Sequence, residues 1–446
     1  LSLLSLEWTR RTVRIGVTGL ARSGKTALIT ALAAKLQQRG ARVAPAEASD
    51  LPRFDAAEHI KALAEDPPQW PARTQTTSLL ALDLAIPRGV LPPKLLRLEL
   101  LDYPGEWLLD LPLLGQDFAT WSAAALERLA DRPAARDFLA FASSLPATAA
   151  ADEALAGAGH RLYVTALKNL QAEGLSYLQP GRFIMPPPGP PPPWMGFFPA
   201  RGQGGLQSLL ARRYDACRQA VREDLSAPLF GRIDRLIVLA DLLSGLHAGP
   251  AAFADAQASL GAAAAALSGL NNWGAFGAAW GGSIGAALGD VMDGVLGASW
   301  LPAPIAWLLG GGITRVAFAA TKADHVADRQ RGNLARLLET LAPAAPNRRA
   351  TTGYFAIASV RCTEDIVWTL DGHPVSAVRG RVLGDDRLTR SYPGEVPDRP
   401  PDPDFWQHPF LALPQFEPAR AAGIGAPMLP DLNLDRLLAF LLEDIL

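Results

Sequence analysis

The chain has 446 residues, 49% hydrophobic and 19% charged, which excludes a disordered chain and points to more than one packed core at the usual ~150 residues per unit. A formal net charge of −2 leaves no broad basic surface, so no nucleic acid is expected as a partner. Two cysteines, Cys217 and Cys362, exclude a disulfide-built scaffold and suit a reducing, cytoplasmic setting; only six of the 42 cationic side chains are lysines, a bias that a GC-rich genome accounts for.

Residues 1–11 carry their arginines behind the apolar run, the reverse of a secretory signal. Residues 13–18 (VRIGVT) predict a strand, residues 19–26 (GLARSGKT) a glycine loop, and residues 27–38 a helix with Gly40 as its C-cap. Residues 77–86 and 94–101 predict an antiparallel pair of strands, and the second runs straight into DYPGE at 102–106. From 108 to about 229 the pattern turns helical, in segments 119–130, 134–143, 151–170 and 206–225. Prolines within 186–193 break this region with a polyproline-type loop or spacer, or with a ligand for a proline-recognition module. Residues 234–243, 312–320 and 354–360 predict buried strands, the first with an aspartate at its carboxyl end, and residues 432–446 a closing amphipathic helix. Residues 256–289 and 294–314 carry no charge, and Gly277, Gly281, Gly285 and Gly289 recur every fourth residue. A glycine face of this kind serves internal packing, a linker, or peripheral membrane contact over 256–311; alanine, glycine and proline content argues against a spanning helix.

GLARSGKT has the spacing G-x-x-x-x-G-K-T in its required strand–loop–helix setting. Backbone N–H groups of the loop residues Ala21, Arg22, Ser23 and Gly24 can curl around a phosphate after Gly19. Lys25 reaches the outer phosphates as a compact charge, and the Thr26 hydroxyl can ligate Mg²⁺. Asp102 at a strand end adds a carboxylate for the metal, and Gly105 an N–H for the γ-phosphate. Glu106 can act as general base or as a salt-bridging residue. Arg73-Thr-Gln-Thr76-Thr77 lies before the first strand of the antiparallel pair. It reads as a solvated basic loop or as a switch segment, with Arg22 as a competing cation.

Thr321-Lys322-Ala323-Asp324 resembles the [NT]-K-x-D guanine motif of TRAFAC-type GTPases. A carboxylate such as Asp324 accepts N1–H and N2–H of guanine together, a pair that adenine does not offer, while the Lys322 stem covers the base with its ammonium in water. Ala358-Ser359 resembles the small-residue loop whose backbone N–H meets the guanine oxygen. R-x-x-T-T resembles switch I of heterotrimeric G-protein α subunits; that resemblance implies Arg73 as an in-cis arginine finger and Thr76 as a Mg²⁺ ligand.

Together GLARSGKT, DYPGEWLLDLP, ATKADHV, ASVR and YPGEVP (392–397) resemble the YcjX-like (DUF463) family of bacterial P-loop proteins, from about residue 13 to 446. The resemblance implies an α/β, Ras-like P-loop G domain with a large all-helical insertion, and a stress-related setting. The expected division is G domain over 10–108, helical insertion over 109–229, G-domain strand over 230–248, Gly/Ala-rich helical insertion over 249–311, and the last part of the G domain over 312–446. The expected function is a slow, Mg²⁺-dependent GTPase binding GTP and GDP and acting on an effector protein. The alternatives are a P-loop ATPase or kinase, a nucleotide-holding scaffold, and a membrane-associated GTPase with little hydrolysis.

Overall fold

The computed structural model describes residues 11–20, 23–45, 51–71, 77–187, 189–226, 233–270, 313–343, 350–385, 387–407, 413–419 and 429–445. Ala21, Arg22, Arg73, Thr76 and the fourfold glycine repeat lie outside them.

Strands β1 (Arg11–Gly19), β2 (Arg42–Ala44), β3 (Ser78–Arg88), β4 (Leu91–Asp102), β5 (Arg235–Ala240), β6 (Arg315–Ala320) and β7 (Thr351–Ala356) form one sheet in the order β2-β3-β4-β1-β5-β6-β7. From β4 to β7 every pairing is parallel, while β2–β3 and β3–β4 are antiparallel. The parallel strands are near-continuous apolar runs because both faces of the sheet are covered. Along β5 the side chains alternate between two cores. Ile237 and Leu239 pack with Leu28, Ile29 and Leu32 of α1 (Lys25–Gln38) and with Leu437 and Leu441 of α12 (Leu434–Leu442). Leu236, Val238 and Ala240 face the other way, onto α9 (Leu242–Ala248), α10 (Pro250–Leu270) and α11 (Asp328–Leu341).

Between β4 and β5 the chain builds a helical body: α3 (Gly105–Leu108), α4 (Phe118–Leu129), α5 (Arg136–Ser144), α6 (Glu153–Ala172), α7 (Gly181–Ile184) and α8 (Gly205–Ser226). It has its own core, and that core is aromatic, with Phe118, Trp121, Phe138, Tyr163, Phe183, Phe197, Phe198 and Tyr214 all buried. Trp121 stacks on Tyr214 at 5.1 Å between ring centroids and meets Phe197 edge-on at 5.4 Å. Few large rings fill the space between these helices that a longer run of aliphatic side chains would otherwise occupy.

Several predicted elements shift. The strand expected over 234–243 stops at Ala240, because the Asp241 carboxylate accepts the Ser244 N–H and caps α9 instead. The strand expected over 354–360 lies earlier, at Thr351–Ala356, where it pairs in register with β6. A three-stranded antiparallel sheet, β8 (Thr363–Leu370), β9 (His373–Arg381) and β10 (Leu388–Ser391), was not expected at all. Of the uncharged stretch, the part within α10 packs inward, with Leu260 and Ala263 buried in the core. Among the described residues no helix is long and apolar enough to cross a membrane.

Candidate nucleotide site

The parallel strands all point the same way, so the residues that follow β1, β4, β5, β6 and β7 gather along one edge of the sheet, where open α/β sheets bind ligands. After β1 comes the glycine loop. Gly24 caps α1 with φ 86° and ψ 29°, a left-handed conformation that favours glycine. The first turn of α1 directs its N–H groups toward the loop, which suits an anion. The Lys25 ammonium curls back and donates to the Gly19 carbonyl oxygen at 3.3 Å.

Asp102 ends β4, is 4% exposed, and pairs across the sheet with Val17 of β1 and Ser78 of β3. Gly105 follows three residues later and lies directly on the glycine loop: a Cβ there would collide with the Gly19 carbonyl and meet Lys25 Nζ at 3.1 Å. The glycine loop and the D-x-x-G turn are therefore in contact. Glu106 follows in α3, half-buried.

Thr26 and Asp102 offer hard oxygen ligands, the chemistry Mg²⁺ prefers. Ser78 Oγ, opposite Asp102 in the register, is buried without a hydrogen-bond partner among the described residues, as is Ser23 Oγ in the loop. Buried hydroxyls in that condition mark a place where a further polar group fits.

The other end of the site follows β6. Lys322 adopts φ 58°, which turns the chain into the short turn Ala323–His325. Asp324 is 1% exposed, and its Oδ2 accepts the Cys362 N–H at 2.6 Å. Ionised carboxylates have about four acceptor sites, so this bond orients Asp324 without exhausting it. The Lys322 side chain is partly exposed, and its ammonium also pairs with Asp241 Oδ2 at 2.5 Å. The cause is the register. Ala240 pairs with Ala320, so the residues just beyond each strand are neighbours.

Ala358 departs from the expectation. Its N–H donates to the Leu432 carbonyl at 3.2 Å, and Leu432 N–H donates back at 2.9 Å. The C-terminal segment thus closes over this loop, held by Lys35 on Asp431 at 2.6 Å and on Asp435 at 3.1 Å. The Ser359 N–H has no hydrogen-bond partner among the described residues.

His325 and Cys362 flank Asp324. Burial lowers the imidazole pKa, with Asp324 opposing, and burial pushes the Cys362 thiol well above its ordinary range. Asp324, His325 and Cys362 are the one carboxylate–imidazole–thiol cluster close enough for a metal among the described residues.

Sequence reasoning missed three residues of this edge. Asp241 holds Lys322, and Asp110 and Arg182 hold the segment that follows Gly105. The only signal for Asp241 was its place at a strand end. For Asp110 it was membership of the DYPGEWLLDLP block. Arg182 carried none, because its partner lies 72 residues away.

A mostly parallel sheet in this order, with a phosphate-type loop after its central strand and D-x-x-G after the neighbouring one, defines a Ras-like P-loop G domain carrying a large helical insertion. The YcjX-like family profile (DUF463) matches residues 13–446, and the chain belongs to that family. It is similar to the protein called Ras-like GTPase YcjX in Escherichia coli K12, 31% identical over 97% of this chain and 96% of that protein. The protein of the same name in Shewanella oneidensis is 28% identical over 97% of this chain and 94% of its own length.

Proposed function

We propose that this protein binds GTP and GDP with Mg²⁺ and hydrolyses GTP slowly, as a stress-related molecular switch acting on an effector protein. The observation that carries this reading is the gathering of Lys25, Asp102, Gly105 and Asp324 along one edge of a Ras-ordered sheet, with Gly105 seated on the loop that holds Lys25. The names of the two relatives support it.

Loop N–H groups and Lys25 hold the phosphates. Thr26 and Asp102 would hold Mg²⁺, with Thr76 as a third ligand; when bound, the ion neutralises phosphate charge. The Gly105 N–H meets the γ-phosphate. Glu106 directs the attacking water by accepting from it, and Arg73 stabilises charge that develops on the phosphoryl oxygens. Asp324 accepts from guanine, Lys322 covers one face of the base near Asp241, and the Ser359 N–H donates to the guanine oxygen in preference to the engaged Ala358 N–H. Peripheral membrane contact through the Gly/Ala-rich stretch 256–311 is part of this reading, apart from the portion within α10, whose Leu260 and Ala263 are buried in the core.

Competition between GDP and ADP for the wild-type protein tests the base reading, and tighter ADP binding overturns it. Asp324→Asn is expected to weaken GDP binding by about 10- to 100-fold, the worth of one hydrogen bond to a charged group, since the amide oxygen still accepts the other, and to favour xanthosine diphosphate. Single-turnover GTP hydrolysis by Arg73→Ala checks the finger: an unchanged rate removes Arg73 from the mechanism.

A further inference from the structure

The segment that carries Gly105 and Glu106 is gripped on its far side by the helical insertion. Asp110, five residues beyond Gly105, is completely buried. Its Oδ1 accepts the Gly181 N–H at 2.6 Å, and its Oδ2 accepts the Arg182 guanidinium at 2.9 Å and the Arg182 N–H at 3.3 Å. Arg182, 1% exposed, also donates to Asp224 at 2.5 Å and lies 4.9 Å from the centroid of the Trp107 ring. The Trp107 indole N–H donates to the Met185 carbonyl at 2.9 Å, and Gln179 donates to the Leu109 carbonyl at 2.6 Å. At the near end, a Cβ on Gly181 would collide with the Glu106 carbonyl. Residues 106, 107, 109 and 110 are thus each fixed to residues 179–185.

A buried ion pair is a poor way to gain stability, since apolar side chains of equal size do as well or better. Its use is to specify one arrangement. Burial works against both charges. It pushes the Asp110 carboxyl above its ordinary range, and it works against Arg182, but the Asp110 and Asp224 carboxylates outweigh burial there and hold the guanidinium firmly protonated. The specified arrangement here is the position of α3, whose other end touches the glycine loop.

We propose that Arg182 is a positioning residue for the γ-phosphate. Through Asp110 and Trp107 it fixes where Gly105 and Glu106 stand, so the helical insertion serves the phosphate site from within the same chain. This rests on the nucleotide-site reading above. Gly105 cannot follow a γ-phosphate without either carrying residues 179–185 along or breaking the Asp110–Arg182 contact. Discrimination between di- and triphosphate therefore includes the state of the insertion.

The test compares the full-length wild type with Arg182→Lys, Arg182→Met and the double variant Asp110→Asn/Arg182→Met, which leaves no unpaired buried charge if the single variant fails to fold. Affinities for GDP and for a non-hydrolysable GTP analogue are measured in parallel, with ADP and a non-hydrolysable ATP analogue as the base control, alongside single-turnover hydrolysis. The double variant is expected to keep its diphosphate affinity and to lose about tenfold in triphosphate preference, a usual size for coupling between sites. Hydrolysis slows by about 10- to 100-fold, the effect of an ångström-scale misplacement of a reacting group. Arg182→Lys recovers part of both, since it restores the charge without the two-pronged contact. Equal losses for di- and triphosphate, or an unchanged ratio and rate in a folded double variant, overturn the positioning role. Adenine preference with the altered ratio overturns the guanine reading while supporting Arg182. Failure of the wild type to bind any of the four nucleotides overturns both.

Discussion

The two ends of the nucleotide edge are built by opposite means. At the phosphate end Lys25 and Thr26 are only half-buried, glycines make the close contacts, and the neighbouring α3 is held from outside the sheet by the helical insertion. At the base end Asp324 is almost fully buried, oriented by the Cys362 N–H, and closed over by the C-terminal segment through Leu432 and Lys35. Glycine contacts carry no side-chain packing energy, so α3 is placed by the Asp110–Arg182 contact behind it rather than by the loop it touches. Buried hydrogen-bonded carboxylates are fixed, because each lost partner leaves a desolvated charge. On the proposed reading, the difference separates the choice of base, set at the base end, from the response to the γ-phosphate, set where α3 meets the glycine loop.

Four substitutions sharpen or break this contrast. Lys25→Ala is expected to weaken GDP and GTP alike by about 100-fold or more in a fluorescence titration, since it removes a charge-assisted contact to phosphate. Asp241→Ala frees Lys322, which is 40% exposed. The Asp241 side chain is only 8% exposed, but with the Lys322 end in solvent the pair is worth about 1 kcal/mol, so guanine preference should fall by about fivefold in a GDP–ADP competition. If it collapses, the base end depends on Lys322 and not on Asp324.

Acid should strike the base end. Burial lowers the His325 pKa below its ordinary 6.5. Below pH 6.5 the unfolded chain takes up a proton there that the folded chain refuses, so His325 contributes stability above that pH that is lost as the pH falls. Denaturant titrations across this range should show a flatter pH dependence for His325→Asn than for the wild type. An identical slope would show that His325 is not held in its neutral form. The most local effect belongs to Lys35→Ala, which removes a mostly buried contact to Asp431, loosens the C-terminal closure by about 1–3 kcal/mol and is read as faster hydrogen exchange of the Leu432 and Ala358 amides.

Much of the fold was legible because the signals were local. GLARSGKT gave strand, loop and helix at once, and the strand-like runs at 77–86 and 94–101 around a turn gave the antiparallel pair. Strand ends were less legible. Asp241 looked like the end of a strand and proved to be a helix cap, a choice made by competition between a ladder bond and a side-chain bond. The meander β8–β10 went unread because its exposed Val367 and Leu388 blur the alternation that marks a half-buried strand.

The sequence by itself determined the strand–loop–helix at the glycine loop and the helical run after DYPGE, because loop chemistry and apolar period act over a few residues, and its family motifs implied the Ras-like sheet and named the candidate site residues. Tertiary structure alone decided that Lys322 meets Asp241, that Leu432 takes the Ala358 amide, and that Arg182 grips Asp110. Each of those pairs is brought together by a sheet register or by a buried charge that needs a partner, and neither leaves a mark within reach along the chain.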